Sequence, residues 1–263
     1  INLPQENSAQ DKSNAYISFN NVSFSYPGCN KKVLNNINFD IQKKEKIAIV
    51  GANGSGKTTL VKLISGMYPV TEGFYTFNGM PSNKIQPCEL RKSFAAVYQD
   101  FARFPMTFEE NVCISKIEEK NNFDYERFKK LCESFPISNS LLTPSALLTR
   151  QFEGGLDLSG GEWQRIALMR CVWSDREAVL LDEPTAALDP DSEYEILEAM
   201  LELMKEKTAL VVTHRLALCQ KVDRIIVMDK GEIIETGTHT ELIKKDGRYA
   251  KMYKKQGEYY ADV

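Results

Sequence analysis

The stretch GANGSGKTT at 51–59 fits the spacing G-x-x-x-x-G-K-[ST], with Gly51, Gly56, Lys57 and Thr58 at the defining positions. Glycines let such a loop curl until backbone N–H groups face phosphate oxygens. The lysine neutralises charge on the β- and γ-phosphates, and the threonine hydroxyl is offered to Mg²⁺. The candidate phosphate holders are therefore Gly51, Asn53, Gly54, Ser55, Gly56, Lys57, Thr58 and Thr59. A second stretch, DLSGGEWQR at 157–165, sets Ser159, Gly160 and Gly161 at the head of a helical run. Unpaired amides and the helix dipole favour an anion there as well. One nucleotide does not need two cradles so far apart in one chain.

Two carboxylates add chemistry to the first cradle. VLLDEP places Asp182 and Glu183 at the end of an apolar, strand-like run. One carboxylate there can hold the Mg²⁺ shell and the next can polarise an attacking water, as phosphoryl transfer to water requires. An acidic pair ending a strand is otherwise often a helix cap. His214, closing ALVVTH, offers a ring nitrogen to a γ-phosphate; a solitary histidine after a strand also serves structure alone.

These residues need a frame. Alternation in Ile17/Phe19, Val22/Phe24/Tyr26 and Ile37/Phe39/Ile41 predicts half-buried antiparallel strands. KIAIVG (46–51) is a short continuous apolar run, as in a buried parallel strand, and KTTLVKLISG (57–66) has helical spacing. GFYTFNG (73–79) reads as a further short strand. From Phe101 to Ser174 helical patterns dominate, in DYERFKKLCESF and GEWQRIALMRCVW, predicting a helical subdomain inserted at about 100–175. Strands return at AVLLDEP, TALVVTH and DRIIVMDKGEIIETG, the last with a hairpin turn at Asp229-Lys230-Gly231. Thr238 to Glu241 fits a capping box opening another helix. Strands interleaved with helices predict an α/β fold with a mostly parallel sheet, an antiparallel β subdomain first and the helical insertion within.

Composition narrows the function classes. With 33 basic and 36 acidic side chains the net charge is −3, which gives no support to a nucleic-acid partner. No run approaches the length of a membrane span. Six scattered cysteines, no Cys-x-x-Cys and two histidines argue against a zinc site or a disulfide framework, and suit a cytosolic setting. The polar opening INLPQENSAQDKSN, without a methionine, reads as a linker from something longer.

In this order, the P-loop, a helical insertion, LSGGE, LLDEPTAALD and VVTH resemble the ATP-binding cassette (ABC) ATPases over roughly 16–255. The resemblance implies Mg²⁺ and ATP as ligands and answers the riddle of two cradles. Two cassettes pack head to tail, and each ATP lies between one chain's P-loop and the other's Leu158–Glu162 signature. It further implies that Gln99 in VYQDF touches Mg²⁺ or the water, with Thr58 and Asp182 completing the metal set. Glu183 is the catalytic carboxylate, His214 the switch histidine and Asp189 a dimer contact. Tyr26 in FSYPG resembles the aromatic that stacks on adenine; a core tyrosine is the alternative. Glu162 stands where glutamine is commoner. In TRQFEGG (149–155) Thr149 and the glycines align, and a coupling role for Glu153 stays open.

FEENV, GTHTELI and the tail GRYAKMYKKQ look like the exporter branch, with a membrane domain fused N-terminally and the cassette at the cytoplasmic face. A homodimer is then plausible. Phe101, Phe104, Pro105, Met106 and Phe108 follow Gln99, where exporters receive the coupling helices; subdomain core is the alternative. YQDFARFPMTFEENV faintly suggests exporters of bacterial peptides, such as lantibiotics. An importer subunit, a soluble ABC ATPase of repair or translation, and a P-loop kinase or GTPase are the competing classes. LSGGE speaks against the kinase, the missing Asn-Lys-x-Asp against the GTPase, and the lack of a coiled-coil insertion or tandem cassette against the soluble ABC ATPase.

Overall fold

Apolar residues alternate along Ile17–Phe24, and the chain there forms β1. It pairs antiparallel with β2 (Leu34–Ile41), Phe19 facing Phe39 and Val22 facing Ile37. The computed structural model describes residues 15–116, 123–137, 142–149, 151, 154–185, 190–203 and 205–261. β3 (Lys46–Gly51) leaves this layer, whereas β4 (Glu72–Phe77) and β5 (Met80–Pro81) complete it in the order β2-β1-β4-β5.

β3 belongs to a second sheet with β6 (Phe94–Val97), β7 (Ala178–Asp182), β8 (Thr208–Val212), β9 (Arg224–Asp229) and β10 (Glu232–Gly237). Its order is β10-β9-β3-β8-β7-β6, parallel throughout except for the β9–β10 hairpin. Ile47 to Val50 are each 0 % exposed, which explains why β3 shows no alternation: both its faces are covered. Register then decides the site. Val212 of β8 lies opposite Ile49 on one side and Asp182 on the other. Because the three strands run in one direction, the residues that follow each of them emerge side by side at one sheet edge.

The helices are α1 (Lys57–Ile64), α2 (Pro87–Lys92), α3 (Phe108–Cys113), α4 (Tyr125–Ser134), α5 (Gly160–Trp173), α6 (Pro190–Leu203), α7 (His239–Lys245) and α8 (Arg248–Ala261). Thr238 and Glu241 form the expected capping box on α7. Sequence reading missed β6, which is four residues with two alanines and no periodicity, as well as α2, α6 and α8.

Between Phe101 and Ser174 the described residues form helices and one isolated bridge, Thr107 to Leu147. Phe128, Leu131, Phe135, Trp163 and Ile166 share one apolar cluster with Val97, Val179 and Leu181 of the sheet. The strap 102–107 is tied down by two side chains. Asn111, 0 % exposed, donates from Nδ2 to the main-chain oxygens of Phe104, Met106 and Thr107. Arg170 donates to Ala102 O at 2.6 Å and to Asn111 O at 2.8 Å, with its guanidinium 5.0 Å from the Phe104 ring centre. Burial pulls its pKa down to about 10.

Phe108 does not share the half-exposed position of Phe104. It is 4 % exposed, with its ring 5.3 Å from that of Phe128, so it belongs to the core and not to a docking surface. Thr107, the N-cap of α3, aims the next residue inward. Phe108→Asp is expected to cost about 4 kcal/mol or more, a lost aromatic plus a buried charge. Urea unfolding measures this, and a change below about 1 kcal/mol would place Phe108 back on the surface.

Candidate functional site

Gly51 ends β3 and opens the loop that leads into α1. Its φ is +153°, and a Cβ there would lie 2.2 Å from the main-chain oxygen of Met228. Gly56 has φ +103°, with a Cβ position 2.6 Å from Leu34 Cδ2. Only glycine satisfies both the backbone angle and the crowding at these two points. The loop is braced from outside, with Gly231 N–H donating to Ser55 O and Asn35 N–H to Gly231 O. α1 starts after Gly56 with no capping side chain, which leaves its first amides for an anion.

Lys57 folds back over this loop. Its Nζ donates to the oxygens of Gly51 and Ala52, each at 3.0 Å. Burial lowers its pKa, and the carboxylates of Glu183 and Asp182 oppose that shift. Thr58 Oγ1 donates to Asp182 Oδ1 at 3.2 Å. Asp182 is 1 % exposed, and burial raises its pKa. Its Oδ2 is buried with no hydrogen-bond partner. An orphaned carboxylate oxygen is costly, and a hard cation shared with the Thr58 hydroxyl would satisfy it. The residues present therefore fit Mg²⁺.

Glu183 follows directly, with φ +51° and its N–H donating to Val212 O. That left-handed turn carries its side chain towards β8, where Oε1 lies 2.6 Å from His214 Nε2. A carboxylate only accepts, so Nε2 carries the proton in this pair. Val33, Gln99, Glu183 and His214 join the loop residues Asn53, Gly54, Gly56 and Lys57–Thr59 around one cleft of about 510 Å³. Val33, from the loop before β2, was not foreseen, since nothing in its spacing marks it.

Tyr26 stands beside the cleft. Its hydroxyl is 3.1 Å from Thr59 Oγ1, and its ring meets Phe24 and Tyr68 edge-on at 5.0 and 5.3 Å. It lies beyond the end of β1 and is half-buried against the core. Ser55, within the loop, is 2 % exposed and does not line the cleft.

The second cradle is built as a helix cap. Ser159 is the N-cap of α5: Glu162 N–H donates to its Oγ at 3.3 Å, and its own N–H donates to Glu162 Oε2 at 2.8 Å. Glu162 thus closes a capping box with Ser159. Gly160 and Gly161 occupy the first two helical positions, and Ser159 is exposed. None of Leu158 to Glu162 lines the P-loop cleft. The single chain does not bring its two cradles onto one ligand. Asp189 and Glu153 lie outside the described residues.

Comparison with known proteins bears on the chain as a whole. The ABC transporter family model matches residues 34–186. The subtilin transport ATP-binding protein SpaT of Bacillus subtilis is 40 % identical over 238 residues, covering 90 % of this chain and 39 % of the relative. An ATP-dependent lipid A-core flippase of Vibrio parahaemolyticus is 36 % identical over 256 residues, covering 96 % and 44 %. A bacterial Atm1-family ABC exporter solved with ATP bound superposes with a TM-score of 0.82 at 29 % identity, covering 93 % of this chain and 42 % of that one. The chain thus spans about two-fifths of the length of these proteins. With more than half of its residues matched by the family model, the chain belongs to the ABC transporter family.

Proposed function

We propose that this chain binds and hydrolyses Mg-ATP to drive an exporter. The observation that carries the reading is the convergence of Lys57, the Thr58–Asp182 pair and the Glu183–His214 pair on one cleft. Lys57 and the loop amides hold the β- and γ-phosphates, and Tyr26 borders the adenine. Thr58, Asp182 and Gln99 would hold Mg²⁺, which when bound neutralises charge building on the phosphate oxygens. Glu183 accepts a proton from the water that attacks the γ-phosphorus. The bond from that phosphorus to the bridging oxygen breaks, and ADP and phosphate leave. His214 is held on Glu183 and reads the γ-phosphate.

Ser159, Gly160 and Gly161 would complete the ATP site of a second cassette, which is why their own chain leaves them outside its cleft. Among the described residues no helix is long and apolar enough to cross a membrane. We assign that task to a membrane domain, since the relatives are more than twice as long, and place the cassette at the cytoplasmic face. The name of SpaT supports a transport role, and that of the Atm1-family exporter an export role. Ser159→Arg tests the shared site. ATP binding by one chain is expected to stay within about twofold, while hydrolysis falls about a hundredfold, as when an oxyanion donor is removed. Nucleotide titration and phosphate release measure the two, and normal turnover in this variant would refute the trans arrangement.

A further inference from the structure

The turn that carries His214 is held from 42 residues away. Gln256 Nε2 donates to the main-chain oxygen of His214 at 2.8 Å, and the N–H of Leu216 donates to Gln256 Oε1 at 2.8 Å. One planar amide thus joins both ends of the 214–216 turn. Gln and Asn alone present an acceptor and a donor side by side in this way, and Asn is a methylene shorter.

The helix that presents Gln256 is itself fixed at its start. The N–H groups of Arg248 and Tyr249 donate to the Glu235 carboxylate of β10 at 2.6 and 3.0 Å, capping α8 from the sheet. A Cβ on Gly247 would lie 2.1 Å from Glu235 Oε1, so a larger residue there would push the carboxylate off this cap. Tyr249, Tyr253 and Gln256 follow at i, i+4 and i+7, on one face. Tyr249 is 0 % exposed, in a cluster that includes Ala48 and Val50 of the strand leading into the P-loop. Its hydroxyl lies 2.8 Å from His239 Nδ1. Tyr253 accepts a hydrogen bond from Gln220 at 2.5 Å. The register of α8 is thus set against the sheet, and Gln256 carries that register to the histidine turn. The imidazole is 43 % exposed, so packing does little to hold it.

We propose that Gln256 is a positioning residue for hydrolysis: by holding residues 214–216 it keeps His214 Nε2 on Glu183, and so makes α8 part of the hydrolytic machinery. This rests on the ATPase reading above. The test uses the 263-residue chain and Gln256→Met, which keeps side-chain length and removes the amide. Turnover at saturating ATP is expected to fall about tenfold, the worth of a lost hydrogen bond and its alignment, with ATP affinity changed less than about twofold. Lys254→Met, which removes the exposed ion pair between α8 and Asp246, is the control and keeps turnover near that of the natural chain. Equal losses in the two variants, or parallel losses of turnover, affinity and melting temperature in Gln256→Met, would show general loosening of α8 and overturn the proposal. So would unchanged turnover.

A readout free of hydrolysis separates the two hypotheses. The chain has only two histidines, so the imidazole resonances in an NMR spectrum are assigned by one His214→Ala sample. Gln256→Met is expected to move the His214 signals. A natural chain that turns over no ATP would refute the ATPase reading alone, and unmoved His214 signals would refute the role of Gln256 whatever the turnover.

Discussion

Glu183→Gln is expected to bind ATP as the natural chain does, to hydrolyse it about a thousandfold more slowly, and to double its solution mass when ATP is added. The substitution is nearly isosteric. The amide oxygen still accepts from His214 Nε2, the contact that lies at 2.6 Å in the natural chain, so the turn at φ +51° has no reason to rearrange. What disappears is a base able to take the proton of the attacking water, and about 4 kcal/mol of barrier lowering disappears with it. Nucleotide already held between two chains then persists, because the step that would release it is blocked. Light scattering with and without ATP reads the mass, and phosphate release reads the rate. A single-chain mass with ATP bound would refute the shared site; undiminished turnover would take the base role away from Glu183.

Lys57→Met is expected to weaken ATP binding about a hundredfold, close to 3 kcal/mol and in the range of one or two charge-assisted hydrogen bonds. Methionine fills the buried stem and removes the ammonium. Two effects then add. The oxygens of Gly51 and Ala52 lose their donor at 3.0 Å, and the phosphates meet the carboxylates of Asp182 and Glu183 with one positive charge fewer between them. Displacement of a fluorescent nucleotide measures the affinity. Binding within about threefold of the natural chain would mean that the loop amides and the helix dipole carry the phosphates alone.

Both predictions concern residues visible in the sequence, and there is a physical reason for that. A phosphate cradle is a local object. Glycines at 51 and 56, a lysine at 57 and a hydroxyl at 58 act through backbone angles and one helix start, all within nine residues. The same holds for the Thr238–Glu241 cap and for the buried run 46–51. Where an element depends on its neighbours, the reading was weaker. β6 is a strand because β7 lies beside it, not because Phe94–Val97 has a pattern of its own. Phe108 looks as available for docking as Phe104 in the sequence, since the eight-residue stretch from Phe101 to Phe108 does not say which rings face inward. The α3 cap and the Phe128 ring settle that.

Residue types and spacing set out the chemistry on offer: two anion cradles, a carboxylate pair, a histidine, and the interleaved strands and helices that carry them. Which of these meet depends on how the chain packs. Parallel registry brings Ile49, Val212 and Asp182 into line, and so sets the P-loop, Glu183 and His214 at one edge while leaving the Ser159 cap outside that cleft. It also leaves one oxygen of Asp182 buried without a partner and ties the His214 turn to Gln256. Those relations join residues dozens to more than a hundred positions apart. They arise from sheet order and helix docking, which depend on the packing of the whole chain and leave no local trace in residue spacing.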